Sequence, residues 1–514
     1  MTRFRAVALM AASYAFFGAA FAEVPAFRSL ITNVSVVDGT GAPGRRAAVR
    51  IQGDQIVEIG DLSRQPGERV IDGAGHVLAP GFIDTHSHHD GELFEQPDAL
   101  AAVSQGITTI IVGQDGSNAY PLPELFRRMR QVPVAVNVGA YVGHNGVRST
   151  VMGEDFRRHA TPEEIGRMRE LVREGMRAGA LGLSTGLEYD PGIYSSKEEV
   201  VALAREAAAA HGRYSSHMRS EDRRVWEALD ELIEIGRATG MPVHVSHMKL
   251  AMTDWWGQAG RFIARMDAAR AQGIDVTGDV YPYEYWQSGL TVLFPDRDFG
   301  NRASAEFALR SLATPEGLLI SSFTPDPSLV GKTVAQIARL RSTDPATTLM
   351  ALIHESESSK GIAGVIGTSM SPADIASLVA WPHANICTDG SLDDRHPRGA
   401  GAMTRVLRQY VREQHLLTLE QAVAKLSATA AASAGIRDRG QIRPGMRADL
   451  VLFDPATVTD RASLAQPAAL SVGIDRVWVN GQVVFENGKA TAARPGVSVL
   501  RTGSEGGRRA SSRD

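Results

Sequence analysis

The sequence predicts an α/β protein built around a parallel (β/α)8 barrel of the TIM type. From Ala79 onward, short and nearly continuous apolar runs alternate with helical stretches of ten residues or more. Strands that are buried on both faces of a parallel sheet have this apolar composition. Eight such alternations follow one another, which is the number of strand–helix units that closes a barrel.

The predicted barrel strands are short runs rich in β-branched and aliphatic residues. They are Gly81–His86, Ile107–Gly113, Val132–Gly139, Ala180–Leu187, Arg213–His217, Pro242–His247, Ile274–Tyr281 and Asn385–Asp389. Three of the intervening helices begin with a capping-box pattern, in which a hydroxyl residue is followed three positions later by Glu or Gln. The three pairs are Thr161 with Glu164, Ser196 with Glu199, and Thr418 with Gln421.

Strand-like sequence flanks the barrel on both sides. Short β-prone runs separated by turn pairs occupy the segment before about residue 75, and the same pattern occurs again after Gly440. We predict that residues 23–78 and 440–502 combine into a small β-sandwich beside the barrel domain of residues 79–439.

A gap of about a hundred residues separates the seventh and eighth predicted strands, and it contains a helical pattern from Thr333 to Arg341. We interpret about residues 290–350 as an insertion before the last barrel strand. It could be a lid over the barrel mouth or a purely structural addition.

Both termini carry segments of a different kind. Arg3 and Arg5 precede an apolar run, and Ala20-Phe21-Ala22 is typical of a signal-peptidase site. Residues 1–22 are therefore predicted to be a secretory signal peptide, and the protein is expected in the periplasm. The apolar run is too short and too interrupted to favour a stable membrane span. The Gly/Ser/Arg-rich residues 503–514 are predicted to form a disordered tail.

Composition excludes some classes of partner. The net charge is −4 with acids and bases mixed along the chain, and no basic block is present, so no nucleic-acid partner is expected. Cys387 is the only cysteine, and the fold therefore has no internal disulfide. The sequence does not predict an oligomeric state.

Histidines and an aspartate stand at the ends of several predicted strands. His86 and His88 lie two residues apart after the first strand, so their side chains point the same way. His217, His247 and Asp389 end the fifth, sixth and eighth strands. Because barrel active sites form at the C-terminal ends of strands, we expect these five residues to converge on a divalent metal.

Five ligands are more than one tetrahedral zinc needs, which favours two metal positions or one metal beside a carboxylate base. Two metals need a bridging group. Asp115, after the second strand, is the first candidate, and Glu188, after the fourth, is the alternative. Asp115 could instead be a turn residue before Gly116.

The same residues indicate hydrolysis. A bound metal lowers the pKa of water from about 15.7 to about 7 and polarises a scissile carbonyl. Asp389 could take a proton from that water and pass it to the leaving nitrogen. His144, after the third strand, could donate a hydrogen bond to the developing oxyanion, or it could be a packing residue of its loop.

Cations and phenols close in sequence to these ligands favour an anionic substrate, because Arg and Lys bind carboxylates. These candidate substrate-binding residues are Lys249, Tyr189, Tyr281 and Arg398.

Several strings together resemble the N-acyl-D-amino-acid deacylases, or D-aminoacylases, of the amidohydrolase superfamily. The strings are Ala79–His88, Ser216–Arg219, Ser246–Lys249, Thr388–Gly390 and Gly440–Leu450. The resemblance covers nearly the whole chain after the predicted signal peptide. It implies the barrel, a β-sandwich from both chain ends and a small insertion before the eighth strand.

The resemblance also implies roles for single residues. It implies zinc at His217 and His247, with a second and often weaker position at His86, His88 and Asp389. Asp389 matches the catalytic aspartate of the family. The positions that hold the substrate's carboxylate in the family match Tyr189, Lys249, Tyr281 and Arg398.

Two positions depart from the family pattern. The family usually has Gly-Asn-Cys-Gly after the second strand, with the cysteine as a metal ligand, whereas this chain has Asp115 there. A hard oxygen in place of a soft thiolate favours two bridged metals, or admits Mn²⁺ or Co²⁺ beside Zn²⁺. His89 stands where the family commonly has aspartate.

We therefore predict a hydrolase of carbon–nitrogen (non-peptide amide) bonds that converts N-acyl amino acids, favoured as the D isomers, to a carboxylate and a free amino acid. Stereochemistry, acyl chain and side-chain preference stay open. One alternative is a dipeptidase or cyclic-amide hydrolase on the same scaffold. Another is a non-catalytic periplasmic binding protein.

Overall fold

The computed structural model describes residues 28–502, so the predicted signal peptide and the predicted tail lie outside the described residues. The strands are β1 (Arg28–Val36), β2 (Arg45–Gln52), β3 (Gln55–Gly60), β4 (Arg69–Asp72), β5 (Val77–Pro80), β6 (Phe82–Asp84), β7 (Ile107–Val112), β8 (Asn137–Ala140), β9 (Val142–Gly143), β10 (Gly182–Gly186), β11 (Arg213–His217), β12 (Val243–Val245), β13 (Val276–Val280), β14 (Tyr285–Gly289), β15 (Leu318–Phe323), β16 (Ala363–Thr368), β17 (Ala384–Ile386), β18 (Leu450–Phe453), β19 (Ile474–Val479), β20 (Gln482–Glu486) and β21 (Lys489–Ala490).

The helices are α1 (Leu100–Val103), α2 (Leu122–Gln131), α3 (His144–Met152), α4 (Pro162–Ala178), α5 (Lys197–Ala209), α6 (Val225–Thr239), α7 (Ala259–Ala271), α8 (Arg302–Phe307), α9 (Val334–Arg341), α10 (Pro345–Ser359), α11 (Pro372–Ala380), α12 (Arg398–Arg405), α13 (Leu419–Leu426) and α14 (Ala428–Ala434). Among the helices of residues 28–502, none combines the length and the apolar character that a bilayer crossing requires.

Two parallel sheets form the wall of a barrel, and their orders are β6-β7-β8 and β17-β13-β12-β11-β10-β9. β8 and β9 are halves of one strand position, interrupted only at Tyr141. On the opposite side, the Asp389 N–H donates to the His86 carbonyl at 2.8 Å, and the His88 N–H donates to the Gly390 carbonyl at 2.9 Å. These bonds join the ends of the first and last strand positions, and the predicted (β/α)8 barrel is confirmed.

Several barrel strands are shorter than predicted. The last one ends at Ile386, and the sixth ends at Val245, although both were expected to reach their ligand residues. The reason is backbone geometry, because Asp389 and His247 have φ values of 51° and 35°. A left-handed residue turns the chain out of an extended strand.

The predicted capping boxes are confirmed at Thr161 and Thr418. At Ser196 only half of the motif forms: its hydroxyl accepts from the Glu199 N–H. The carboxylate of Glu199 instead bonds to His144 and Arg148, which explains why it does not reach back to the helix start.

Both chain ends contribute to one nine-stranded sheet of order β21-β20-β19-β18-β5-β1-β2-β3, with β4 paired to β1. The connection between the ends is antiparallel pairing of β18 with β5. Apolar residues from both ends, including Ile31, Val49, Leu450 and Trp478, pack in a common core. The N-terminal and C-terminal segments are therefore parts of one β module.

A smaller antiparallel sheet of order β14-β16-β15 precedes β17. Together with α8, α9 and α10 it forms the insertion, which runs from Tyr285 to Thr368 and extends beyond about residues 290–350 at both ends. The helix predicted from Thr333 is α9, with Thr333 as its N-cap.

A buried polar junction ties the β module to the barrel. The carboxylate of Asp449 accepts hydrogen bonds from Arg439 at 2.6 Å, from the Asn137 amide at 3.0 Å, and from the Asn480 N–H at 2.7 Å. Asn137 belongs to the barrel strand β8, while Asn480 follows β19. The Asp449 side chain is 2% exposed and that of Arg439 is 3% exposed, so this ion pair is shielded from water.

We predict that Arg439→Met lowers the free energy of unfolding by about 3–5 kcal/mol, because it leaves the buried Asp449 carboxylate without its cation. Urea denaturation followed by circular dichroism measures the effect. Arg443→Met is the control: Arg443 is an exposed residue of the same loop, and we expect a change below about 0.5 kcal/mol. Equal stability of the two variants would contradict the structural role of the junction.

Candidate active site

The predicted ligands lie where barrel strands end. His86 and His88 follow β6, Asp115 follows β7, His217 ends β11, His247 follows β12, and Asp389 follows β17. Asp115, His247 and Asp389 have positive φ values of 52°, 35° and 51°. Left-handed conformations are unfavourable for residues other than glycine and are concentrated at functional sites. The three turns gather side chains from separate strands.

One group of possible ligands contains His86, His88, Asp115 and Asp389. The His86 Nε2 atom lies 3.3 Å from Asp115 Oδ1 and 3.4 Å from Asp389 Oδ1. The His88 Nε2 atom lies 3.5 Å from Asp115 Oδ2 and 3.3 Å from Asp389 Oδ1. Two imidazoles and two carboxylates thus face one point.

A second group contains Asp115, His217 and His247. The His247 Nε2 atom lies 3.3 Å from Asp115 Oδ1 and 3.0 Å from His217 Nδ1. Asp115 belongs to both groups, which fits a bridging carboxylate. Glu188, the alternative bridge, instead lies 2.9 Å from His217 Nε2, the ring nitrogen other than the one that approaches His247.

These distances fit divalent metals. Two ligands at the 2.0–2.1 Å zinc–ligand distance in a tetrahedron are about 3.3–3.4 Å apart, close to the spacings measured here. In addition, both ring nitrogens of the buried His86 lack a hydrogen-bond partner within residues 28–502. A buried polar atom without a partner is rare, and a metal at Nε2 would satisfy one of the two.

The charges of the site lead to the same conclusion. Around the two groups, carboxylates outnumber the basic side chains: Asp115, Glu188, Glu221 and Asp389 face Lys249 and Arg398. Buried negative charge of this size needs compensation. Burial and Lys249 lower the pKa of His247, but Glu221, Asp115 and Asp389 outweigh them and raise it to about 10. A divalent cation would compensate the same carboxylates and displace that proton.

A cavity adjoins the second group. Its lining residues are Glu188, Tyr189, His217, Glu221, Asp222, Lys249, Ala251, Tyr281, Trp286, Gln287, Ser288, Val292, Leu293, Leu312 and Asp389. The cavity thus borders both the candidate ligands and the insertion.

Three predicted substrate-binding residues line this cavity. The Tyr189 ring packs against His217 in a tilted arrangement with centroids 4.2 Å apart. The Lys249 ammonium donates to both oxygens of Glu221, at 3.0 and 2.8 Å. The Tyr281 hydroxyl is buried without a partner among the described residues, so it can still donate to a ligand.

The fourth predicted substrate-binding residue, Arg398, is not a lining residue of the cavity. Its guanidinium lies 4.9 Å from the Tyr281 ring centroid and donates to Asp389 Oδ2. Arg398 therefore lies directly behind two residues that do line it.

His144 is not brought into the site. Its Nε2 atom lies 2.8 Å from Glu199 at the start of α5, and His144 does not line the cavity. This placement fits the alternative interpretation of His144 as a packing residue.

Sequence reasoning missed Glu221, whose Oε1 atom lies 3.1 Å from His247 Nδ1. The signal that could have found it is its spacing, four residues after His217 in the same strand-end loop.

We predict that Asp115→Asn lowers the metal content of the protein at both positions, because it weakens the carboxylate that the two ligand groups share. Elemental analysis after dialysis against a weak chelator measures the bound metal per chain. Asp393→Asn, at an exposed aspartate of the loop after β17, is the control and should keep its metal. Full metal content in Asp115→Asn would rule out the bridge.

Comparison with known proteins places the chain. The profile of the amidohydrolase family matches residues 69–288 and 319–485. N-acyl-D-glutamate deacylase of Alcaligenes xylosoxydans xylosoxydans is 37% identical over 497 residues, covering 92% of this chain and 96% of that protein.

Solved structures agree. N-acyl-D-glutamate deacylase from Bordetella bronchiseptica, complexed with zinc and a phosphonate mimic of the tetrahedral intermediate, superposes with a TM-score of 0.84 at 36% identity, over 93% of this chain and 100% of its own. A D-aminoacylase with a binuclear metal centre gives a TM-score of 0.83 at 34% identity, over 92% and 100%. The chain therefore belongs to the amidohydrolase family, within its branch of N-acyl-D-amino-acid deacylases.

Proposed function

We propose that this chain hydrolyses the amide bond of N-acyl-D-amino acids with Zn²⁺, or another divalent metal, and releases a carboxylate and a free amino acid. The observation that carries the proposal is that two groups of metal ligands share Asp115. They lie beside a cavity that is lined by Lys249 and two tyrosines. The zinc-complexed deacylase and the D-aminoacylase with its binuclear centre support the metal and the D isomer.

The proposed chemistry divides between the metal and Asp389. When bound, the metal supplies Lewis acidity, which activates water and polarises the amide carbonyl. Asp389 Oδ2 accepts from Arg398 while Oδ1 lies 3.4 Å from His86 Nε2 and 3.3 Å from His88 Nε2. The carboxylate is thereby fixed at the ligand group, where it can accept a proton from water and deliver it to the leaving nitrogen.

The carboxylate of the substrate is proposed to bind near Tyr281. The Tyr281 hydroxyl has no hydrogen-bond partner among the described residues. The centroid of the Tyr281 ring lies 5.7 Å from the Lys249 ammonium and 4.9 Å from the Arg398 guanidinium. Lys249 and Tyr281 line the cavity and can donate hydrogen bonds to an anion. Arg398 lies behind Tyr281 and adds positive charge there.

The side chain of the amino acid is proposed to be apolar. Trp286, Val292, Leu293 and Leu312 of the insertion line the cavity, and Lys249 is the only lining Lys or Arg among the described residues. A second carboxylate, as in D-glutamate, would therefore lack a cation of its own and would lose water without compensation.

We predict that Asp389→Asn lowers kcat by a factor of about 10² or more, because an amide cannot accept the proton. Steady-state assays on metal-loaded protein measure the loss, and circular dichroism checks that the fold is retained. The matched variant Asp393→Asn, at an exposed aspartate of the following loop, should retain most of the turnover. Near-normal turnover in Asp389→Asn would reject the proposed proton carrier.

For the wild-type protein we predict that kcat/KM for N-acetyl-D-leucine and N-acetyl-D-methionine exceeds that for N-acetyl-D-glutamate at least about tenfold, since burying an unpaired charge is costly. The same screen includes the L isomers, dipeptides and hydantoins, with product amine as the readout. A preference for N-acetyl-D-glutamate would contradict the proposed apolar side chain of the substrate, but not the proposed hydrolysis of N-acyl-D-amino acids. Turnover confined to dipeptides or cyclic amides would overturn the proposed function, as would binding of acids without turnover.

A further inference from the structure

The two imidazoles of the second ligand group share a feature beyond the ligand set. His217 Nδ1 and His247 Nε2 lie 3.0 Å apart, and the other nitrogen of each ring is close to a glutamate. His217 Nε2 lies 2.9 Å from Glu188 Oε2, and His247 Nδ1 lies 3.1 Å from Glu221 Oε1. Both carboxylates are buried, with residue exposures of 8% and 6%.

The first ligand group is built differently. The Nδ1 atom of His86, which lies on the ring opposite the ligand atom Nε2, has no hydrogen-bond partner among the described residues. The carboxylate partners therefore distinguish His217 and His247 from His86.

A carboxylate on the second nitrogen of a metal-binding histidine fixes the tautomer and the ring orientation and makes the ligand more basic. We propose that Glu188 and Glu221 are positioning residues that hold His217 and His247 in their metal-binding tautomers. Metal retention at this position then depends on two carboxylates outside the ligand set. The inference rests on the proposed metal-dependent function.

Lys249 lies beside the same ring nitrogen of His247 and also contacts Glu221. The Lys249 ammonium lies 2.6 Å from His247 Nδ1. With Nε2 on a metal, neutral His247 carries its proton on Nδ1, so this nitrogen cannot accept from Lys249. Glu221 accepts from Lys249 at 3.0 and 2.8 Å and lies 3.1 Å from His247 Nδ1, so its carboxylate can accept from both donors.

The backbone around Glu188 is held by the insertion. Arg297 of the insertion follows Val292 and Leu293, which line the cavity. It donates to the Glu188 carbonyl and, at 3.1 Å, to Asp190 Oδ1. Its side chain is 8% exposed. Glu188 is thus kept in place from the main-chain side, as expected of a group that orients another.

A rival assignment makes Glu188, His217 and Glu221 direct ligands of one further cation, since their ligand atoms lie within 4.8 Å of one another. The Lys249 ammonium, 2.8 Å from Glu221 Oε2, already occupies the position of a counter-charge there. It would repel a divalent ion, so the positioning role is favoured.

The test uses Glu188, because Glu221 variants also disturb Lys249. Full-length apoprotein carrying His86→Asn and His88→Asn limits binding to the position of Asp115, His217 and His247. In this background, Glu188→Met, Glu188→Gln and Asp222→Asn are compared by chelator competition with Zn²⁺. The absorption spectrum of the Co²⁺ form reports the ligand set.

We expect Glu188→Met to weaken Zn²⁺ binding by about 10–100-fold, with an unchanged type of Co²⁺ spectrum, because the ligands remain but lose their orientation. Glu188→Gln should recover part of the loss, since its amide oxygen still accepts from Nε2–H. Asp222→Asn is the control, because this buried carboxyl lines the same cavity and accepts from Ser220 rather than from a histidine. The Zn²⁺ affinity of this variant should stay within about twofold of that of the His86→Asn, His88→Asn protein.

Wild-type affinity in Glu188→Met would overturn the proposal. Equal losses in the Met and Gln variants with an altered Co²⁺ spectrum would overturn it in favour of direct ligation. Both readouts are independent of turnover, so a protein that binds metal as described but cleaves no N-acyl amino acid would refute the proposed function and leave this inference standing.

Discussion

Negative charge concentrated at the mouth of the barrel is the constraint on which the rest of the site depends. Asp115 and Asp389 lie within 3.5 Å of histidine nitrogens, and each is at most 9% exposed as a side chain. Carboxylates so close together in a poorly solvated site are stable only with cations among them. Arg398 and Lys249 supply part of this charge, and the ligand geometry accommodates divalent metals for the remainder.

A polar layer beneath the ligands holds their strained backbones in place. The carboxylate of Asp279 accepts from the His247 N–H and from Thr85 and His244. Asp84 accepts from both the N–H and the hydroxyl of Thr388, the residue before Asp389. Burial raises the pKa of Asp84 to about 7 even though these hydrogen bonds lower it. The left-handed turns at the ligands are thus fixed by side chains of neighbouring strands.

Much of this arrangement could be predicted from the sequence, because strand-end positions in a barrel converge regardless of loop detail. His86, His217, His247 and Asp389 were accessible in this way. The exact strand ends were not, since the positive φ of His247 and Asp389 follows from tertiary hydrogen bonds and not from local propensity.

Residues on loops were harder to assign. Glu221 and His144 both follow strand ends, yet one contacts His247 and the other pairs with Glu199 of a neighbouring helix. Sequence spacing cannot tell which side of a loop faces the mouth. The bounds of the insertion were also out of reach, because the pairing of β14 with β16 joins segments about eighty residues apart.

The barrel and the insertion contribute different kinds of residues to the site. The barrel supplies the charged residues that face the ligand groups, whereas Trp286, Val292, Leu293 and Leu312 of the insertion supply apolar lining. Because a single hydrophobic contact contributes far less than the removal of an ionic ligand costs, changes in the insertion can alter side-chain preference while the metal site persists. Arg297 is an exception, because through it the insertion holds the backbone of Glu188, so changes at this residue can affect both functions.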